Sequence, residues 1–164
     1  MTGESGASTG DVGVRIGSLV DHPELVEGLA RWHDREWGRG EAAWTVALTA
    51  RSGADTVPFT LVAFLGDEPV GCVSLTHEDV DPEFADHGPW LSGMVVVNGA
   101  RDLGIGRQLL AAVEARAIAL GHTELWAHTQ EAERFYVRCG WEVVRPKVPL
   151  HRDAVVRRIL PSGA

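Results

Sequence analysis

The chain has 164 residues and a formal net charge of −8, from 23 acidic and 15 basic side chains. Hydrophobic residues make up 45% and charged residues 23%, a balance that excludes a wholly disordered or fibrous chain and predicts one globular domain. An acidic chain without a run of basic residues is a poor ligand for nucleic acid or for an anionic membrane surface. Cys72 and Cys139 form no C-x-x-C pair, so we expect two free thiols in a cytoplasmic protein and neither a disulfide framework nor a metal site.

The hydrophobic periodicity divides the chain into a short tail and one domain. Residues 1–10 are rich in Gly, Ser and Thr and are interpreted as a disordered tail, which leaves a domain at 11–164. The predicted elements are, in chain order, a strand at 12–19, helices at 23–37 and 41–51, strands at 59–65, 70–75 and 90–97, a helix at 105–120, a strand at 124–128, a helix at 131–139, and strands at 141–144 and 154–160. This β-αα-βββ-α-β-α-ββ order predicts a mixed six- to seven-stranded sheet with helices on both faces, of the α/β (α+β) class. A helix joins the strands at 90–97 and 124–128, so we expect them to be parallel.

The predicted core follows from the apolar spacing within each element. Asp21 is a candidate N-cap for the first helix. The helical side chains expected to face the core are Leu25, Leu29 and Trp32 in the first helix, and Ala43, Val46, Ala47 and Ala50 in the second. The strand tryptophans interpreted as core residues are Trp90, Trp126 and Trp141.

A glycine-containing turn, R-D-L-G-I-G-R at 101–107, connects an apolar strand to an amphipathic helix. Glycines at the start of a helix leave backbone N–H groups free to bind an anion, although they are equally typical of a tight turn. A Walker phosphate loop is excluded because its lysine is missing, and a dinucleotide-binding fingerprint is excluded because Leu109 stands at the third glycine position.

Two motifs resemble those of the GNAT superfamily of N-acetyltransferases. Arg101-x-x-Gly104-x-Gly106 is similar to the acetyl-CoA signature Q/R-x-x-G-x-G/A, and the segment A-E-R-F-Y-V-R-C-G-W at 132–141 resembles A-x-x-F-Y-x-x-x-G-F/W. The positions that depart from the pattern are Asn98 in place of proline, Asp102 in place of glycine and Leu103 in place of a basic residue or Gln. Asp102 is interpreted as a cap of the following helix that points away from the cofactor. If its carboxylate did not cap the helix, its negative charge would weaken binding of a pyrophosphate.

The resemblance implies direct transfer of an acetyl group from acetyl-CoA to a primary amine of a small molecule or peptide, through a ternary complex. The strand at 90–97 is expected to splay from its parallel neighbour through a bulge at Ser92–Gly93. The residues whose backbone is expected to hold the pantetheine arm are Val95, Val96 and Val97, with an amide near Val95 stabilising the thioester oxygen. The residues expected at the pyrophosphate are Arg101, Leu103, Gly104, Ile105, Gly106 and Arg107.

The catalytic residues implied by the resemblance are an acid and a base. Tyr136 is the candidate acid that protonates the departing thiolate. For the base, Glu78 in the acidic loop at 77–89 is the first candidate and His128 the second, and an ordered water relay is the third.

The acceptor is left open by the sequence. The acidic loop, together with Trp32, Trp37 and Trp44, suits a cationic amine, and aminoglycoside-like antibiotics, polyamines, amino acids and protein N-termini are all candidates. The alternative is a non-catalytic acyl-CoA-binding or regulatory module on the same fold, and a third hypothesis is an inert structural domain. A homodimer formed through the terminal strands is compatible with the resemblance.

Overall fold

The structure is a computed structural model that describes residues 13–53, 56–77, 82–150 and 152–162. The predicted tail and Glu78 lie outside these ranges. The strands are β1 Val14–Ser18, β2 Phe59–Leu65, β3 Glu68–Thr76, β4 Trp90–Val96, β5 Glu124–Thr129, β6 Glu142–Arg145 and β7 Ala154–Ile159. The helices are α1 Val26–Trp37, α2 Glu41–Ala50, α3 Ile105–Ala119 and α4 Glu133–Arg138.

The seven strands form one sheet in the order β1-β2-β3-β4-β5-β7-β6. Only β4 and β5 pair in parallel among these strands, and the other neighbours are antiparallel. The mixed sheet, its class and the parallel pair are therefore as predicted. Of the two terminal strands, β6 lies at an edge of the sheet, whereas β7 is paired on both sides.

The sheet buries a core on each face because successive side chains of a strand point to opposite sides. In β3, Val73 and Leu75 pack with α3 in the larger core, whereas Cys72 packs with α1 and α2 in the smaller one. The strand tryptophans are buried, as predicted: Trp90 and Trp126 are 2% exposed and Trp141 is 3% exposed.

Helix α3 ends where its glycine signal predicts. Gly121 has φ +90° and its N–H donates to the carbonyl of Ile118 at 3.0 Å, while the N–H of His122 donates to the carbonyl of Ala117 at 2.9 Å. These two bonds satisfy carbonyls of the last turn in the manner of a Schellman motif. A left-handed residue is required at this point, and glycine adopts that conformation without a steric cost.

Two predictions about α1 and α2 are wrong. Asp21 caps no helix, because it lies in a short 3-10 turn, Leu19–Asp21, and α1 begins only at Val26. In α2 the buried side chains are Trp44 and Leu48, while Val46 is 72% exposed. Burying an indole and a leucine removes more apolar area from water than burying a row of alanines, so the helix turns its larger side chains inward.

Candidate active site

The parallel strands β4 and β5 separate shortly after they begin to pair. Their register contains two pairs, Trp90 with Trp126 and Leu91 with Ala127. Beyond Leu91, β4 stays paired with β3 as far as Val96. A gap therefore opens between β4 and β5 towards their carboxyl ends, as the resemblance implied.

A bulge in β4 marks the point where the strands separate. Ser92 pairs with Ser74 and Val95 pairs with Cys72, so two residues of β4 lie opposite one residue of β3. Gly93 in this bulge has φ +64°, a conformation that residues with a side chain rarely adopt. The bulge lies where the sequence predicted it.

The backbone that faces the gap is that of Val96. The N–H of Val97 donates to the carbonyl of Val70 on β3 at 2.9 Å, so this amide is not available to a cofactor, contrary to the expectation. Peptide groups alternate in direction along a strand, so Val95 also points its amide towards β3, whereas the N–H and C=O of Val96 point away from it. The carbonyl of Val96 instead accepts a hydrogen bond of 3.2 Å from Nε of Arg101.

The N-terminus of α3 follows β4 after the turn at 97–104, and the first amides of the helix are free. Gly104 is the N-cap residue, with φ +75°, and no side chain caps the helix. The first internal bond is that from the N–H of Gln108 to the carbonyl of Gly104, at 3.1 Å. The N–H groups of Ile105, Gly106 and Arg107 therefore have no intrahelical acceptor, and the helix dipole adds positive potential there. This arrangement suits an anion.

Asp102 does not cap α3, so that prediction is wrong. Gly104 occupies the N-cap position, and Asp102 lies two residues earlier, exposed and with φ +69°. Leu103 beside it is 53% exposed. The turn thus carries a carboxylate, two residues before the N-cap, that does not cap the helix.

A groove of about 390 Å³ lies between α3 and α4, beside the glycine turn. Arg107 and Arg138 line it, together with Glu114 and the backbone of Gly140. The two guanidinium groups extend the positive potential of the helix N-terminus along this side of the molecule.

Tyr136 of α4 lies on the α3 side of the sheet. It is 6% exposed, belongs to the same core as Ala127 of β5, and packs its ring against those of Phe135 and Trp141. Burial raises the pKa of the phenol well above its usual value, and the neighbouring Cys139 acts in the same direction. The phenol is therefore protonated at neutral pH, which is the form that a general acid needs.

His128 lies on the opposite face of β5 from the side on which Ala127 and Tyr136 pack. Its ring stacks on Trp90 with a centroid distance of 4.5 Å and an interplanar angle of 11°. In the acidic loop, Glu83 forms an ion pair of 2.9 Å with Arg145, which offsets its negative charge. The structure thus places Tyr136 and His128 on two sides of the sheet.

The aromatic residues of α1 and α2 cluster around a histidine that sequence reasoning missed. His33 is fully buried, and its ring lies 5.3 Å from that of Trp37 and 4.8 Å from that of Trp44. Trp37 is 47% exposed, whereas the ring face of Trp44 is covered by the guanidinium of Arg39 at 5.7 Å. Trp37 is therefore more accessible to a ligand than Trp44. The i, i+4 spacing from Leu29 to His33 and Trp37 was the available signal for this face.

No group of histidine, cysteine or carboxylate side chains in the described ranges is arranged to bind a metal ion. Among the helices that the structure describes, none has the length and hydropathy that crossing a bilayer requires.

Comparison with known proteins assigns the family. The profile of the acetyltransferase (GNAT) family matches residues 26–141, which is more than half of the chain. The chain belongs to the GNAT acetyltransferase family. It is thus an acyltransferase by family, and the resemblance of its two motifs is confirmed.

Solved structures of acetyltransferases share this fold at low sequence identity. An aminoglycoside 6′-N-acetyltransferase complexed with coenzyme A has a TM-score of 0.71 and 16% identity, over 92% of this chain and 99% of that one. The aminoglycoside 6′-N-acetyltransferase from Enterococcus faecium has a TM-score of 0.71 and 15% identity, over the same shares of 92% and 99%. Ard1 from Thermoplasma volcanium has a TM-score of 0.69 and 15% identity, over 91% of this chain and 99% of that one. No curated protein sequence matches the chain significantly.

Proposed function

We propose that this GNAT family member transfers an acetyl group from acetyl-CoA directly to a primary amine, in a ternary complex. The observation that carries the proposal is the position of two sets of backbone groups, the peptide of Val96 that faces the gap and the free amides at the start of α3. The gap between β4 and β5 opens towards the carboxyl end of β4, and the uncapped N-terminus of α3 follows that end. An extended arm in the gap and a pyrophosphate at the helix would be held side by side.

The residues present fit coenzyme A. Val96 offers an N–H to an amide-containing arm in the gap, and its C=O, which accepts one hydrogen bond from Arg101, has a second lone pair for the arm. The amides of Ile105, Gly106 and Arg107 offer donors to phosphate oxygens. An ideal Cβ on Gly104 would have no atom within 4 Å, so the space above this turn is open. The cofactor supplies the acetyl thioester, while the protein contributes backbone donors and positive potential.

The two faces of the sheet suit the two proton transfers. Tyr136 lies on the α3 side and is protonated, which supports its proposed role as the donor of a proton to a thiolate departing on that side. His128 lies on the other face, stacked on Trp90, and is the described candidate for accepting a proton from the amine. The acceptor would then approach from the side of α1 and α2, where Trp37 is exposed.

The proposed acceptor is the primary amine of a small molecule or a peptide. The names of two similar structures, both aminoglycoside 6′-N-acetyltransferases, support the small-molecule class. The free thiols of Cys72 and Cys139 are compatible with the proposed cytoplasmic location.

The test combines binding with turnover. We expect calorimetry to detect acetyl-CoA binding to the wild type and thiol release to detect transfer to members of an amine panel. Gly104→Glu places a carboxylate beside the proposed pyrophosphate and should reduce affinity at least about tenfold. Gly121→Glu is the matched control, because it adds the same charge at another positive-φ glycine, about 25 Å away at the far end of α3. Absence of binding at millimolar acetyl-CoA, or equal loss in both variants, would refute the proposal.

A second candidate is favoured by Asp102. An exposed carboxylate beside the free amides of α3 opposes phosphate binding, which a weak acyl-CoA sensor would tolerate better than an enzyme. This non-catalytic module predicts acetyl-CoA binding without thiol release for any amine of the panel.

A further inference from the structure

The imidazole of His33 has one nitrogen that is bonded and one that is not. Nδ1 lies 2.7 Å from the carbonyl oxygen of Leu29, and because a carbonyl only accepts, Nδ1 carries the proton of this bond. Nε2 is buried and has no hydrogen-bond partner in the described part of the chain. A buried acceptor without a partner is rare in folded proteins and calls for an explanation.

Nε2 lies directly against the bulge of β4. A Cβ atom built on Gly93 would be 2.5 Å from Nε2, so the ring occupies the space that any other residue would need for its side chain. On the strand side, the thiol of Cys72 donates to the carbonyl of Gly93 at 3.8 Å. The bulge is therefore held between helix α1 and strand β3.

The ring is closed to a substrate. His33 has no exposed surface, and the rings of Trp37 and Trp44 pack around it. Nε2 is buried, so a substrate in the gap cannot reach it in this arrangement. Any effect of His33 on the reaction is therefore indirect, and Gly93 is the contact of its ring that lies in β4 beside the gap.

We propose that His33 is a positioning residue for the transferase site: its Nε2 packs on Gly93, fixes the bulge, and thereby sets the direction of the backbone that reaches the gap at Val96. The inference rests on the proposed function in taking that gap as the coenzyme A site. A neutral imidazole is required, because its lone pair can accept a weak Cα–H contact, whereas a protonated Nε2 would aim an N–H at a carbon atom. The lowered pKa of His33 agrees with this requirement, since burial disfavours its charged form.

A double-mutant cycle on coenzyme A affinity tests the proposal. Gly93→Ala forces a methyl group against Nε2 and should weaken binding about tenfold or more. Gly66→Ala is the matched control, because Gly66 has φ +59° but nothing within 4 Å of its ideal Cβ, and its affinity should stay within about twofold. His33→Ala removes the obstacle, so His33→Ala combined with Gly93→Ala should bind at least about threefold more tightly than Gly93→Ala alone. Equal affinities of this double variant and Gly93→Ala would overturn the proposal.

A second measurement is made on the wild-type protein and uses a variant only to assign the signals. In the wild type, saturating coenzyme A should shift the ring signals of His33 in a histidine NMR spectrum, assigned with His33→Gln. The signals of His22, which precedes α1 and packs on Phe64 of β2, should not move. Unchanged His33 signals in a protein that binds coenzyme A would refute the positioning role alone. If the wild type binds no coenzyme A, the proposed function and this inference both fail.

Discussion

The guanidinium of Arg101 joins the carbonyl oxygen of Val96, at 3.2 Å from Nε, to the carboxylate of Glu36, at 3.6 Å from Nη2. Arg101 is the first residue of the glycine motif, Val96 faces the gap, and Glu36 lies near the end of α1. Arg101 therefore donates a hydrogen bond to the Val96 carbonyl, the group that a cofactor arm in the gap would also contact. In the proposed complex, the cofactor would share this carbonyl with Arg101 or displace the guanidinium from it.

Removing the charge of Glu36 should release Arg101. We expect Glu36→Gln to strengthen coenzyme A binding by roughly two- to fivefold, because the guanidinium becomes free to turn towards the phosphates. Calorimetry at two salt concentrations measures the effect, which should shrink as salt screens the exposed pair. Glu27→Gln, an exposed position on the same helix, is the control and should leave the affinity unchanged. Weaker binding by Glu36→Gln would show that the ion pair assists the cofactor.

Neutralising Asp102 should also strengthen cofactor binding. Asp102→Asn keeps the shape of the side chain and the tolerance for positive φ, but it removes a negative charge beside the free amides of α3. We expect an affinity gain of about three- to tenfold at low ionic strength and less at high salt. Asp67→Asn in the exposed turn between β2 and β3 serves as the comparison and should have little effect. An unchanged affinity of Asp102→Asn would mean that the carboxylate points away from the ligand.

The glycine turn and α3 were predictable because their signals are local. Gly104 and Gly121 bracket a helical apolar stripe, and the structure places the helix between them. The N-cap was not predictable in the same way, because Asp102 and Gly104 both suit the start of a helix and the left-handed turn at Gly104 decides between them.

Residues whose roles depend on distant partners were missed. The importance of His33 comes from Gly93, sixty positions further along the chain, and no local pattern joins the two. The direction of the Val96 peptide depends on the register between β3 and β4, which a bulge of one residue shifts. The inward face of α2 was misread because this helix has two apolar faces, one with Trp44 and Leu48 and one with alanines. Which of the two is buried depends on packing against the sheet, and the structure buries Trp44 and Leu48.

Tyr136→Phe should separate catalysis from binding. Loss of the phenolic proton is expected to lower kcat at least about tenfold, while the affinity for coenzyme A stays within about twofold. Because the pKa of Tyr136 is raised, deprotonation of this phenol should cause no fall in rate between about pH 7 and 9. Steady-state kinetics over this range, with the unfolding midpoint of the variant as a check on folding, provide the measurement. A kcat equal to that of the wild type would remove Tyr136 as the acid.

Gly71→Ala should destabilise the fold through the close approach of α3 to β3. An added Cβ would lie 3.0 Å from the carbonyl oxygen of Val95 and 3.2 Å from Cδ1 of Leu109, and the backbone atom cannot move aside cheaply. We expect a loss of about 1–3 kcal/mol in the free energy of unfolding, measured by urea denaturation. Gly99→Ala, whose ideal Cβ has nothing within 4 Å, is the control. Equal stabilities of the two variants would contradict the tight packing of this layer.

Stability should fall as the pH is lowered through the titration of His33. Burial holds the pKa of His33 below its usual 6.5, and Arg51 acts in the same direction while the bond to Leu29 opposes it. Between the lowered pKa and 6.5 the unfolded chain binds more protons than the folded one, so the free energy of unfolding decreases as the pH drops and levels off below the lowered pKa. One proton limits this slope to about 1.4 kcal/mol per pH unit. The pKa of His122 is lowered as well, chiefly by desolvation, so urea denaturation of His33→Gln and His122→Gln between about pH 7 and 5 separates the two contributions. If the dependence of the unfolding free energy on pH persists in His33→Gln and disappears in His122→Gln, the effect comes from His122 and the prediction is contradicted.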